Sequence, residues 1–220
     1  MKITRLTQGL EGNKDCSDEI KKLLNEKDVY MINVMGSPGS GKTSLIVELI
    51  NGLKDEYNIG VIEGDIAGQI DAEKIDALGI PVVQLNIEGA CHIEAISIKN
   101  IIQYFNLDEI DLIFIENVGN LVCPAEFNVG EDLKVAILSV PEGDDKPEKY
   151  PLMFTITDAV IIGKYDMVEH FEFDDNKVEM VTNNYNSNTE VFRISTRTGE
   201  GIEDLVKYMK RTINFKINKH

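Results

Sequence analysis

A mainly parallel, doubly wound α/β sheet with helices on both faces is the fold that this 220-residue sequence predicts, on three observations. Short apolar runs recur along the chain with helical patterns between them. The first run, Val29-Tyr30-Met31-Ile32-Asn33-Val34-Met35, leads directly into Gly36-Ser37-Pro38-Gly39-Ser40-Gly41-Lys42-Thr43, a complete G-x-x-x-x-G-K-[ST] loop. After that loop, Ser44-Leu45-Ile46-Val47-Glu48-Leu49-Ile50 carries apolar residues at helical spacing. Strand, loop and helix in this order specify a P-loop NTPase.

Taken in order, residues 1–28 are charged and read as an N-terminal arm or weak strand followed by a short helix from Ser17 to Asn25. Ser17 is its N-cap, and Ile20, Leu23 and Leu24 are its apolar positions. Residues 29–220 read as the nucleotide-binding domain with an inserted metal site. Its further strands are Ile59–Ile62, Pro81–Leu85, Leu112–Ile115, Val135–Val140, Ala159–Ile162 and Val191–Ile194. Between Glu169 and Glu190 the chain turns polar and Asn-rich, which predicts an exposed hairpin or loop. Doubly wound sheets bind ligands beyond the C-terminal ends of their strands, so the residues just after each run carry the chemistry.

Composition narrows the function. A net charge of −16 opposes binding to nucleic acid or to an anionic membrane, both of which need clustered Lys and Arg, and favours cations or basic partners. No apolar run approaches the roughly 18 residues of a membrane span, and the N-terminus lacks the apolar stretch of a signal peptide, so a cytoplasmic location is expected. Cys16, Cys91 and Cys123 are too few, and odd in number, for a disulfide framework; they read as thiols or metal ligands.

The loop predicts triphosphate binding. Its residues Gly36, Ser37, Pro38, Gly39, Ser40 and Gly41 let backbone N–H groups close around phosphates, and Lys42 places a point charge at the β and γ oxygens. The Thr43 hydroxyl ligates Mg²⁺, and Ser44 opens the helix whose N-terminus faces the anion. Asp65 and Glu116 end the second and fourth strands beside the loop and can complete the Mg²⁺ site; Asp65 can instead orient the attacking water. Gly119 is a hinge able to follow the γ-phosphate. Farther on, Lys164 and Asp166, with Ser195 ending the next strand, resemble the base-recognition segments of GTPases, in which Asn-Lys-x-Asp reads guanine. Gly163 stands where the asparagine is expected.

Cys91-His92 and Cys123 form a second constellation of two thiols and an imidazole, soft ligands suited to zinc or nickel. Adjacent residues point about 100° apart inside a helix, so Cys91 and His92 can share an ion only at a helix start, where the helix N-terminus also lowers the thiol pKa. Three ligands leave the site incomplete, and two chains meeting across a twofold axis would complete it, tetrahedral for zinc or square-planar for nickel.

Four segments together resemble the hydrogenase nickel-incorporation GTPases, the HypB family, of the SIMIBI class of P-loop GTPases. These are Ile62-Glu63-Gly64-Asp65 with Asp71-Ala72-Glu73-Lys74-Ile75; Cys91-His92; Glu116-Asn117-Val118-Gly119-Asn120-Leu121-Val122-Cys123-Pro124-Ala125; and Glu142-Gly143-Asp144-Asp145-Lys146-Pro147. The resemblance runs from about Tyr30 to the C-terminus. It implies a dimerising GTPase that delivers nickel to the large subunit of [NiFe]-hydrogenase with a nickel chaperone partner, and it implies Cys91, His92 and Cys123 as zinc or nickel ligands. Some family members carry an N-terminal cysteine cluster or His-rich tract; here Cys16 stands alone and the three histidines are scattered, so N-terminal nickel storage is not implied. A urease-type nickel GTPase would carry Cys-Pro-His, whereas Pro124 is followed by Ala125. A small-molecule kinase would need an acceptor pocket that nothing in the sequence marks.

Overall fold

The computed structural model describes residues 2–64, 75–86 and 89–217, with side chains from residue 11 onward. Asp65 and the Asp71–Lys74 segment lie outside the described residues. The seven expected strands are all present: β1 (Tyr30–Gly36), β2 (Ile59–Glu63), β3 (Val82–Gln84), β4 (Leu112–Gly119), β5 (Leu133–Ser139), β6 (Ala159–Gly163) and β7 (Glu190–Arg193). They form one sheet in the order β3-β2-β4-β1-β5-β6-β7, and every adjacent pair of strands is parallel.

Central β1 is buried along its whole length because both faces are covered, which is why it reads as a continuous apolar run. Its alternate residues serve opposite faces. Tyr30, Ile32 and Val34 pack with Leu45, Ile46 and Leu49 of α2 (Lys42–Leu53) and with Leu205, Met209 and Ile213 of the C-terminal helix Ile202–Lys216. On the other face, Met31 meets α1 (Lys2–Glu26) and α3 (Ala95–Ile101), while Met35 meets Phe154 and Val178. No described helix is long and apolar enough to cross a membrane.

Two expectations are corrected. The N-terminus holds one helix, α1, instead of a weak strand and a short helix. Ser17 is no N-cap: it lies within α1, its hydroxyl donates to the Lys14 carbonyl at 2.9 Å, and it is buried. Cys16, Ile20 and Leu24, spaced by four, make the stripe that α1 buries. Burial pushes the Cys16 thiol pKa up, as for a small core residue. Secondly, the Asn-rich stretch holds a helix, Asp175–Tyr185, capped by the Asp174 carboxylate, which accepts from the Lys177 N–H at 3.0 Å. Its buried residues are Val178 and Thr182, a stripe too narrow to stand out as periodicity.

Candidate nucleotide and metal sites

The loop Gly36–Thr43 joins the C-terminal end of β1 to α2, as strand order and the motif require. Gly41 precedes α2 at φ 107°, a left-handed conformation suited to glycine, and no side chain caps the helix. The first-turn N–H groups are therefore available to a ligand. The Lys42 ammonium, almost fully buried, curls over the loop and donates to the Ser37 carbonyl at 3.1 Å and the Gly36 carbonyl at 3.4 Å.

Glu116, on the strand beside β1, accepts from the Thr43 hydroxyl at 2.8 Å. The Gly64 N–H donates to the Glu116 carbonyl at 2.9 Å, which draws the end of β2 against β4. Glu63 lies in register with Glu116 across β2 and β4, and both carboxylates are buried. A hydroxyl and neighbouring buried carboxylates beside a phosphate loop fit a hard divalent cation such as Mg²⁺. Glu63 was not singled out in the sequence because its partner is set by strand register.

At the far end of the loop, the Lys164 ammonium donates to the Gly39 carbonyl at 2.7 Å. The Asp166 carboxylate accepts from the Ser195 hydroxyl at 2.7 Å and pairs with Arg197 at 3.1 Å. Lys164, Asp166, Met167, His170, Thr196 and Arg197 line a cleft of about 310 Å³, and Thr196 also borders a second cleft against Thr43 and Ser44. The expected base-recognition residues Lys164, Asp166 and Ser195 are thus brought together beside the phosphate loop. A side chain at Gly163 would start 3.2 Å from Ile137 Cδ1 and 3.5 Å from the Ser40 carbonyl, so the asparagine absent here would point toward the loop.

Cys91, His92 and Cys123 also converge: each offers a ligand atom within 4.8 Å of the other two. The Cys91 and Cys123 sulfurs are 3.0 Å apart, and Cys91 Sγ is 3.5 Å from His92 Nδ1. Cys91 and His92 lie on irregular backbone ahead of α3, which lets neighbouring residues face one point. The His92 ring stacks on Phe127 with centroids 3.9 Å apart, and its buried Nε2 makes no hydrogen bond but has the Glu94 carboxylate 3.7 Å away. Two adjacent thiols with an imidazole Nδ1 beside them suit a soft cation.

The Cys123 pKa is raised, first by the neighbouring Cys91 sulfur and then by burial, while the Asn120 amide pulls it down. Helix α4 (Cys123–Glu126) is a single turn that begins at this thiol.

An all-parallel sheet whose central strand ends in a phosphate loop, with an acid from the next strand on the loop threonine, defines a P-loop nucleotide-binding domain. Residues 30–193 match the CobW/HypB/UreG nucleotide-binding domain. The chain belongs to the HypB family. It is 40% identical over 93% of its length to the probable hydrogenase maturation factor HypB of Methanocaldococcus jannaschii, covering 92% of that protein. To Escherichia coli hydrogenase maturation factor HypB it is 38% identical over 91% of its length, covering 69% of the relative. The crystal structure of HypB from Helicobacter pylori in complex with nickel superposes at a TM-score of 0.87 and 36% identity, covering 94% of this chain and 97% of that one. HypB from Archaeoglobus fulgidus does so at 0.87 and 32% identity, covering 93% and 100%.

Proposed function

We propose that this chain is a GTP-hydrolysing metallochaperone for nickel insertion into [NiFe]-hydrogenase, in which Cys91, His92 and Cys123 form a nucleotide-responsive metal site. One observation carries the reading: β4 bears Glu116 against Thr43 and continues directly into the segment whose Cys123 meets Cys91. A change at the phosphates thus reaches a metal ligand seven residues along the same stretch.

In this reading residues 29–220 are the GTPase domain and residues 1–28 its N-terminal cover. Gly36, Ser37, Pro38, Gly39, Ser40, Gly41, Thr43 and Ser44 hold the phosphates of GTP. Lys42 leaves its loop carbonyls to neutralise charge on the β and γ oxygens, which makes it a catalytic residue together with Asp65. Magnesium, when bound at Thr43, Asp65 and Glu116, supplies electrostatic stabilisation of the transferring phosphoryl group. Asp65 supplies either a magnesium ligand or the group that orients water. Asp166 accepts from the guanine N1–H and amine while Ser195 holds the carboxylate and Lys164 braces the loop; adenine, lacking the N1 donor, would leave Asp166 unpaired.

Nickel is cargo. Two thiolates and an imidazole per chain leave a fourth position that a second copy fills, so the working form is a homodimer. A nickel chaperone delivers the ion and the hydrogenase large subunit receives it, in the cytoplasm, as the relatives named hydrogenase maturation factor suggest.

The test is nickel affinity measured with GDP and with a non-hydrolysable GTP analogue. Unequal affinities are expected, and equal ones would sink the switch. Lys42→Ala should lose hydrolysis and keep metal; Cys123→Ala should lose at least about 10-fold in nickel affinity and keep nucleotide.

A further inference from the structure

Asn120 touches every party to that switch. It follows the end of β4, where its backbone N–H donates to the carbonyl of Gly36, the first residue of the phosphate loop, at 3.1 Å. Its side-chain oxygen accepts from the Val122 N–H at 2.8 Å, fixing the turn into Cys123. Its side-chain nitrogen donates to the Cys91 carbonyl at 3.2 Å, fixing the other thiol's backbone. Just before it, Gly119 presses on the loop: a Cβ there would sit 2.7 Å from Pro38 Cγ and 2.9 Å from the Pro38 nitrogen. The main chain at 119–120 is therefore held against the loop, and the Asn120 side chain bonds both thiol-bearing segments.

We propose that Asn120 is the positioning residue that converts phosphate-loop state into metal affinity, by setting the separation of Cys91 and Cys123. The inference rests on the proposed nucleotide-responsive site and names the part that transmits the signal. Only an amide serves, because the position needs an acceptor for Val122 and a donor for Cys91 on one short planar group. Metal–ligand distances are held to within about 0.2 Å, so small displacements of one sulfur change affinity strongly.

Substitution separates the two arms. Asn120→Ala removes the side-chain bonds to Val122, to the Cys91 carbonyl and to the Cys123 thiol, while Asn120→Asp keeps the acceptor for Val122 and loses the amide donor to Cys91 and Cys123. Both keep the backbone bond to Gly36. The readout is the ratio of nickel dissociation constants with GDP and with the GTP analogue, from competition with a chromophoric chelator using the full-length chain. Being a ratio, it is unmoved by a uniform gain or loss of metal affinity, including that from the added Asp charge. In the wild type the ratio should depart from one by about 5-fold or more. In both variants it should fall to within about 2-fold of one, with each nucleotide's affinity measured without nickel within about 3-fold of wild type and an unchanged circular dichroism spectrum. A variant that keeps the wild-type ratio overturns the proposal, as does one that loses nickel equally in both states and leaves the ratio intact. A wild-type ratio of one overturns the switch itself, and the wild-type measurement alone reveals it.

Discussion

Pro38 occupies the space in which a side chain at position 119 would begin, so glycine is required there by close approach. The obstructing atoms include the Pro38 backbone, which cannot swing aside as a flexible side chain would. Gly119→Ala should therefore displace the phosphate loop, costing about 1–3 kcal/mol of stability as overpacking does. Fluorescent-GDP titration should show about 10-fold weaker binding, a loss of roughly 1.4 kcal/mol. Unchanged binding and melting would show that the loop adjusts freely. At this scale the phosphate loop was legible because one continuous stretch specifies it. Cys91 and Cys123 read as ligand types, yet their 3.0 Å meeting depends on the loop before α3 lying against the segment that follows β4. Asn120 stands in the sequence only as part of the Glu116–Ala125 resemblance, with no role of its own: an asparagine after a strand is ordinary, and its importance comes from partners at Gly36, Cys91 and Val122.

Helix α1 shows how an element can be missed while its residues are seen. The sequence places Ile20 and Leu24 on a short helix, while Cys16 reads as a thiol and so does not extend the buried stripe it in fact begins. The five inner strands are legible because burial on both faces makes them apolar, and the half-buried edge strands β3 and β7 still carry Val82-Val83 and Val191-Phe192, whereas Asp175–Tyr185 buries two residues and hides among its asparagines. Near the metal site, the Asn13 side chain accepts from the Ala95 N–H at 2.8 Å and donates to the Asn128 carbonyl at 2.7 Å. Helix α1 thus clasps the segments that follow His92 and Cys123. Leu24→Ala should cost about 2–5 kcal/mol, seen as a lower urea midpoint. A change under about 0.5 kcal/mol would mean that α1 is not anchored as part of the core, since only surface substitutions are that mild.

For the whole molecule, burial raises the pKa values of Tyr30, Tyr57, Tyr165 and Tyr208, the last to about 12 from an ordinary 10.0. The native state favours their neutral phenols, so this contribution to stability is complete below pH 10 and is lost as pH rises through about 12. The urea midpoint should hold between about pH 7.5 and 9.5 and fall steeply above 10, and Tyr208→Phe should soften the fall; a flat profile to pH 12 would refute the burial argument. Strand order bears on synthesis as well. Strand β1 finds its neighbours in β4 and β5, with Tyr30 opposite Leu112 and Ile32 opposite Leu133. A ribosome adding about 5–20 residues per second needs roughly 5–20 s to make the 100 or so residues between β1 and β5. During that interval the nascent chain holds the complete Gly36–Thr43 sequence without the β5 backbone that walls it, since the Ile137 carbonyl lies 2.5 Å from where a Gly36 Cβ would stand. The wall of the phosphate loop is thereby completed only once the sheet's centre has been made.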